Sequence, residues 1–397
     1  MCRLISYVKK IIAFAAVCIA GLLACLSLFA NVGGARVCFA DTSGGEEQTR
    51  VVGYLPTWSY KGYTIDYSAL THINIAFCNL NSRGEISCDI PDGDMRAIVE
   101  NAHASGVKVM AALGGGGYGE PYRDLIKSDA DIQSLNAKIV AFCEKYNLDG
   151  MDLDIELDSG DSIWNNYGAW VSALRNVCDE RNWLLSTATA QWVAYNVTEQ
   201  TFSLFDFINV MAYDNDSRNE SSHSSYQFAV ECLDYFHKVK NIPKQKLVLG
   251  VPFYGRGYNA NGDLDWESYM SFSDLVAINA GNFNADRYND VAYTGAQTMR
   301  EKCELSKEYG GIMIWELTLD AEGEYSLLAV IKEELFPSAP LVPDGNGKEE
   351  NDGKFLNSTA FKIIIGVSVP LVVAAVTAVI SVIVFKKAKS KKLRHND

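Results

Sequence analysis

Between Arg50 and about Phe336 the chain repeats one rhythm: a short apolar run, a polar or glycine-rich turn, then a stretch with helical periodicity. The runs are Val51 to Leu55, Thr71 to Phe77, Val107 to Leu113, Gly150 to Leu157, Leu184 to Ala190, Phe207 to Tyr213, Leu247 to Tyr254 and Gly311 to Leu317. Helical patterns such as Ile132 to Tyr146, Trp170 to Glu180 and Phe228 to Lys238 fall between them. Strands that alternate with helices predict a parallel sheet. Eight such units in roughly 290 residues fit a closed α/β fold, the (β/α)8 or TIM barrel. A doubly wound open sheet competes, but it does not need eight units, and no G-x-G-x-x-G follows the first run. The glycines from Gly114 to Gly117 lack the Lys-Ser/Thr of a phosphate loop, so they read as a tight turn with close backbone approach.

Chemistry concentrates in the fourth run, Asp149-Gly150-Met151-Asp152-Leu153-Asp154-Ile155-Glu156. Side chains alternate along a strand, so Asp152, Asp154 and Glu156 share one face while Met151, Leu153 and Ile155 share the other. In a barrel the apolar face packs under the helices and the acids point inward. Three carboxylates brought together out of water repel one another and must raise at least one pKa, which a purely structural role does not justify. A calcium loop starting at Asp152 fails, because its sixth position would need Gly and holds Leu157. The acids also climb toward the C-terminal end of the strand, where barrel enzymes keep their active sites.

The 397 residues carry a formal charge of -14, which argues against nucleic acid as a partner. Bases gather at the ends instead. Lys9 and Lys10 precede an apolar run from Ile11 to Ala30 and small residues up to Ala40, which reads as a secretory signal peptide over 1–40 or, alternatively, an uncleaved anchor. After Phe336 a Pro-, Gly- and acid-rich stretch, 337–362, reads as a flexible stalk. Residues 363–385 carry no charge and are long enough for one transmembrane helix, and the basic tail 386–397 marks the cytoplasmic side. The expected location is therefore the cell membrane, single-pass, with the 50–336 body outside and monomeric by default. Six cysteines fall in that body; Cys78 and Cys88 flank a turn signal and could close a cross-hairpin disulfide. His72, His103, His223, His237 and His395 show no metal-ligand spacing, and no cofactor or metal is expected.

The stretch Asp149 to Glu156 resembles the DxxDxDxE signature of glycoside hydrolase family 18, the chitinases and endo-β-N-acetylglucosaminidases, whose fold is this barrel. Further matches follow in order: Gly53-Tyr54, Thr71 to Phe77, Met211-Ala212-Tyr213-Asp214, Gly250 to Arg256 and Gly311 to Trp315. The resemblance implies that Glu156 protonates the glycosidic oxygen and that the substrate's own 2-acetamido oxygen is the nucleophile. It implies that Asp154 supports the acetamido N–H, that Asp152 shares a proton with Asp154, and that Tyr213 donates to the acetamido oxygen. Asp214 would bind a sugar hydroxyl and Trp315 would floor the reacting sugar. Tyr54, Phe77, Met211 and Tyr254 are candidate cleft residues, Trp58 and Trp192 candidate rim subsites. Arg256 would bind substrate or pair with an acid. Trp164, Trp170 and Trp183 read as packing.

Two departures stand out. The family's SxGG turn appears as Ala112-Leu113-Gly114-Gly115, one hydroxyl short. The interval from Arg256 to Gly311 looks too short for the α+β insertion some chitinases carry, implying a shallower groove. The implied activity is chitinase-like cleavage of β-1,4-linked N-acetylglucosamine, with the chitobiose core of N-glycans as the alternative substrate. A catalytically silent lectin is the second alternative, disfavoured because Glu156 is present.

Overall fold

The structure is a computed structural model and describes residues 49–81, 83–216 and 222–337. Eight parallel strands close into a barrel: Arg50–Pro56, His72–Ala76, Lys108–Gly114, Gly150–Asp154, Leu184–Thr189, Phe207–Val210, Leu247–Pro252 and Gly311–Trp315. All eight expected runs are strands, and each pairs with its chain neighbour, the first closing on the eighth with Val51 opposite Ile312. Helices including Asp92–Ala104, Asp129–Tyr146, Trp164–Arg181, Tyr226–Asp234, Ala296–Ser306 and Leu327–Leu335 fill the connections.

The alternation read from sequence divides the core in two. Outward residues such as Val51, Ile73, Val109, Met151, Leu153 and Ile312 pack with the helices in one large cluster. Inward residues Val52, Tyr54, Met110, Ala112, Phe207, Val248 and Met313 form a second cluster inside the barrel. Helix ends follow local chemistry: Ser128, Thr198, Ser225 and Ser326 cap helices through their side chains, and Asn147 and Asn182 end helices in the left-handed conformation. Trp170 is fully buried and donates to Asn136 Oδ1 at 3.0 Å, a packing residue as expected.

Three readings change. The fourth and sixth strands end at Asp154 and Val210, so Glu156, Tyr213 and Asp214 lie just past the paired residues, at the C-terminal mouth. The interval after the seventh strand is not bare: it holds a four-stranded antiparallel sheet, Leu264–Ser271, Tyr254–Tyr258, Val291–Ala292 and Arg287–Tyr288, with a short helix Phe272–Ile278. Tyr269, Ser271 and Asp274 of this insert line a cavity together with Trp58 and Trp315. Cys78 and Cys88 are both thiols, and no disulfide joins them.

Among the described residues no helix is long and apolar enough to cross a membrane. The segments read as signal peptide, membrane helix and tail lie outside those residues, as does the stalk beyond Pro337.

Candidate active site

Asp152 lies at the centre of the barrel and is fully buried. Three neighbours donate to it: Tyr54 Oη at 2.6 Å, Ser186 Oγ at 2.5 Å and Asn209 Nδ2 at 3.1 Å. Burial lifts its carboxyl to about 6 even against these donors. The hydroxyl absent at Ala112 is thus supplied from the other side. Ala112 and Ser186 flank Asp152 in register on the third and fifth strands, and Ser186 carries the donor.

Asp154 is buried with no partner on Oδ1. Its carboxyl is pushed well up, first by desolvation and then by Glu156 and Asp152. Glu156 is lifted to about 7 by burial and by the negative charge of Asp214. Asp214 goes the other way. Burial alone would raise it, but His223, Arg256 and Tyr254 hold it below the usual carboxylate range. Arg256 Nε stands 3.0 Å from Asp214 Oδ1, Tyr254 Oη donates to Oδ2 at 2.9 Å, and His223 Nδ1 lies 3.3 Å from Oδ1. Two adjacent carboxyls are therefore driven apart, one kept protonated near neutrality and one kept ionised, the arrangement that separates acid and anion roles.

The glycine turn brings the third strand against the fourth. Gly115 N–H donates to the Asp154 carbonyl at 2.7 Å. At φ +90° its missing Cβ would lie 2.5 Å from the Phe77 ring, and a Cβ at Gly116 would lie 3.6 Å from Glu156 Oε1. Close approach, not phosphate binding, explains the glycines.

Trp315 packs edge-on against Tyr54 at 5.4 Å and tilts against Phe77 at 5.7 Å. It also borders a cavity of about 460 Å³ shared with Trp58, Tyr269, Ser271, Asp274 and Glu316. Trp58 is 62% exposed and stacks on Phe77, while Trp192 is 44% exposed on the short helix Gln191–Ala194, so both sit at the rim. Met211 and Tyr213 are half-buried against the interior cluster. Arg256 resolves to an acid-pairing residue, with Trp266 over its guanidinium at 4.3 Å.

Ser186, Asn209, His223 and Tyr269 are the site residues that sequence reasoning missed. Ser186 and Asn209 carried a usable signal, since each is a polar side chain at an inward position of a barrel strand. His223 and Tyr269 carried none, because only the fold brings them to Asp214 and to the cavity.

Residues 50–320 match the family model described as "Glycosyl hydrolases family 18". The chain belongs to glycosyl hydrolase family 18. It is 24% identical over 403 aligned residues to chitinase A1 of Niallia circulans, an alignment covering 70% of this chain and 58% of that protein. The body thus spans little more than half of that relative. A GH18 chitinase from the chitin utilization locus of Flavobacterium johnsoniae shares 33% identity with a TM-score of 0.65, covering 73% of this chain and 94% of that one. Family membership with such relatives supports glycosidase activity. The same barrel also occurs in a chitinase-like agglutinin from Robinia pseudoacacia, 18% identical with a TM-score of 0.60, so fold alone does not separate cleavage from binding.

Proposed function

We propose that this chain is a chitinase-like glycosidase that hydrolyses β-1,4-linked N-acetylglucosamine with retention, using the substrate's acetamido group as nucleophile. The observation that carries the reading is the opposed pair at the barrel mouth, Glu156 held up to about 7 and Asp214 held down. Glu156 gives its proton to the glycosidic oxygen as the bond to the anomeric carbon breaks. The acetamido oxygen closes on that carbon, forming an oxazolinium ion and leaving positive charge on the acetamido nitrogen. Asp154, whose buried Oδ1 has no protein partner, accepts the acetamido N–H and balances that charge. Its resting proton passes toward Asp152, which three donors make the better anion of the two. Tyr213 orients the acetamido oxygen by donating its hydroxyl. Glu156, now a carboxylate, takes a proton from the water that reopens the ring from the same face, so the β configuration is retained.

Asp214 holds Arg256 and Tyr254 and raises the proton affinity of Glu156, in addition to the sugar contact implied by resemblance. Trp315 offers its face to the ring C–H groups of the reacting sugar. The aromatic cavity beyond it, with Trp58 and Tyr269, favours a substrate that continues as a chain of sugars. From the sequence of both ends we further propose that this body works outside the cell, tethered by the 363–385 helix through the 337–362 stalk.

Purified protein and its Glu156→Gln variant, incubated with chitohexaose and separately with a high-mannose glycoprotein, provide the test by product mass. Cleavage of chitohexaose by wild type alone is the expected result. Cleavage of the glycoprotein alone would move the substrate to the N-glycan core. Binding without cleavage by both proteins would make the chain a lectin.

A further inference from the structure

Cys78 and Cys88 bracket the short hairpin that leaves the second barrel strand. Its pairing is antiparallel, with Asn79 opposite Ser87 and Leu80 opposite Ile86. Continued one step toward the barrel, that register sets Cys78 opposite Cys88. Hydrogen-bonded and non-bonded pairs alternate along such a ladder. The Asn81 amide donates to the Glu85 carbonyl at 2.8 Å, marking a bonded pair, so three steps back Cys78 and Cys88 fall on a non-bonded one. In agreement, the Cys78 amide is spent elsewhere, on the Ala112 carbonyl of the third barrel strand at 2.8 Å. At non-bonded positions opposing Cα atoms approach to about 4.5 Å, within the roughly 4.4–6.8 Å at which a disulfide closes without moving the backbone.

The thiols themselves interact. Hydrogen bonding from Cys78 draws Cys88 below the usual thiol value, whereas burial pushes Cys78 well above it. Cys88 is also the one half-buried thiol among the six described; the other five are buried. The pair therefore has an accessible attacking sulfur and a sheltered second one.

We propose that Cys78 and Cys88 are a disulfide-forming pair that closes under oxidising conditions. The oxidant is an external disulfide. Cys88 thiolate attacks it, forming a mixed disulfide and releasing one thiol; Cys78, losing its proton, attacks the Cys88 sulfur and releases the second. The two cysteines give up two electrons and two protons, and the oxidant becomes two thiols.

The bond would fix a piece of structure that the site leans on. Strands of two residues each are too short to hold a hairpin alone. Yet this hairpin carries Asn79, which accepts from the Gly114 amide at 2.7 Å, donates to the Gly114 carbonyl at 2.8 Å and accepts from Tyr122 Oη at 2.8 Å. Gly114 opens the glycine turn beside the acidic strand, and Phe77, on the wall with Trp315, immediately precedes Cys78. The inference does not depend on the proposed glycosidase activity.

Full-length protein equilibrated with oxidised glutathione, then denatured, alkylated and digested with trypsin, provides the test. Cleavage after Arg83 separates the two cysteines, so a linked peptide pair about 2 Da lighter than the sum of its parts identifies the bond. Closing a loop of roughly ten residues should also raise Tm by about 4 °C over the reduced protein, and Cys88→Ser should remove that difference. Alkylation of both cysteines in the oxidised protein, or capture of either by another cysteine, would overturn the proposal. So would a Tm that ignores the redox buffer while the linked peptide is absent.

Discussion

Replacing the proposed general acid should make the protein more stable, and only at high pH. Glu156 is lifted from 4.5 to about 7, first by burial and then by Asp214. A carboxyl raised in the folded state binds its proton more tightly there than in the unfolded chain. Its stabilising contribution is therefore fully present below the unfolded value and is lost as pH rises through 7. A rise of roughly 2.5 units at about 1.36 kcal/mol per unit comes to about 3 kcal/mol. Gln is neutral throughout and avoids that loss. For a body of roughly 290 residues, with an unfolding entropy of about 2.1 cal/mol/K per residue, the difference is about 5 °C in Tm. Thermal unfolding of wild type and Glu156→Gln at pH 4 and pH 8.5 should show equal Tm at the lower pH and a variant about 5 °C higher at the other. Asp152, Glu316 and Asp320 are also raised and titrate in this window, but they are present in both proteins and cancel in the difference. Asp154 does not cancel, because Glu156 contributes to its rise, and losing that repulsion at high pH favours the variant in the same direction. An offset of the same size at both pH values, or a variant less stable at pH 8.5, would refute the claim that Glu156 is held protonated at the expense of its anion.

Ser186→Ala removes a donor 2.5 Å from buried Asp152. A hydrogen bond to a charged group contributes about 1.5–3 kcal/mol, so Asp152 should rise by about 1–2 units and the acid limb of kcat/KM should move to higher pH by that amount, read from a pH–rate profile. Gly115→Ala combines a φ of +90° with a Cβ 2.5 Å from the Phe77 ring, whereas Gly62→Ala has a φ of +88° and nothing within 4 Å. Both should pay backbone strain of about 1–3 kcal/mol, but only Gly115→Ala should also lower kcat, as Phe77 is pushed toward Trp315; denaturant melts with turnover measurements separate the two effects.

The barrel was legible because its signal is repeated eight times and each strand alternates between two apolar environments, one under the helices and one inside. The acidic strand was legible for the opposite reason: its inward positions carry charges that a packed interior does not tolerate without a task. The sequence signal weakens where strand pairing stops. Glu156, Tyr213 and Asp214 lie past the last paired residues, and Asp214 takes the left-handed region at φ 54°, a conformation no local pattern announces. The small sheet after the seventh strand was missed because Tyr254–Tyr258 is interrupted by Gly255 and Gly257, Leu264–Ser271 is largely polar, and the other two strands have two residues each. His223, nine residues on in sequence, reaches Asp214 only through the fold.

The acidic signature itself divides between two tasks, and strand geometry explains the division. Asp149 stands just before the strand and never approaches the mouth. It accepts from Lys108 Nζ and the Val109 amide, each at 2.8 Å, and lies 2.7 Å from His103 Nε2 at the opposite end of the barrel. Burial would raise its carboxyl, but Lys108, the Val109 amide and His103 hold it down, so it is an ion-paired clamp between the third and fourth strands. Asp152, three residues on, is buried and raised to about 6; Glu156 at the mouth is raised to about 7. One run of eight residues therefore passes from an acid that is ion-paired and held down to acids whose proton affinity desolvation raises. The physical variable that changes along it is the supply of groups that hold a carboxylate: Lys108, the Val109 amide and His103 at the bottom, none on Asp154 Oδ1 in the middle, and at the top an arginine already committed to Asp214. The spacing of the motif lets one segment serve both ends of the barrel, since at roughly 3.3 Å per residue the chain from Asp149 to Glu156 runs from its bottom to its mouth.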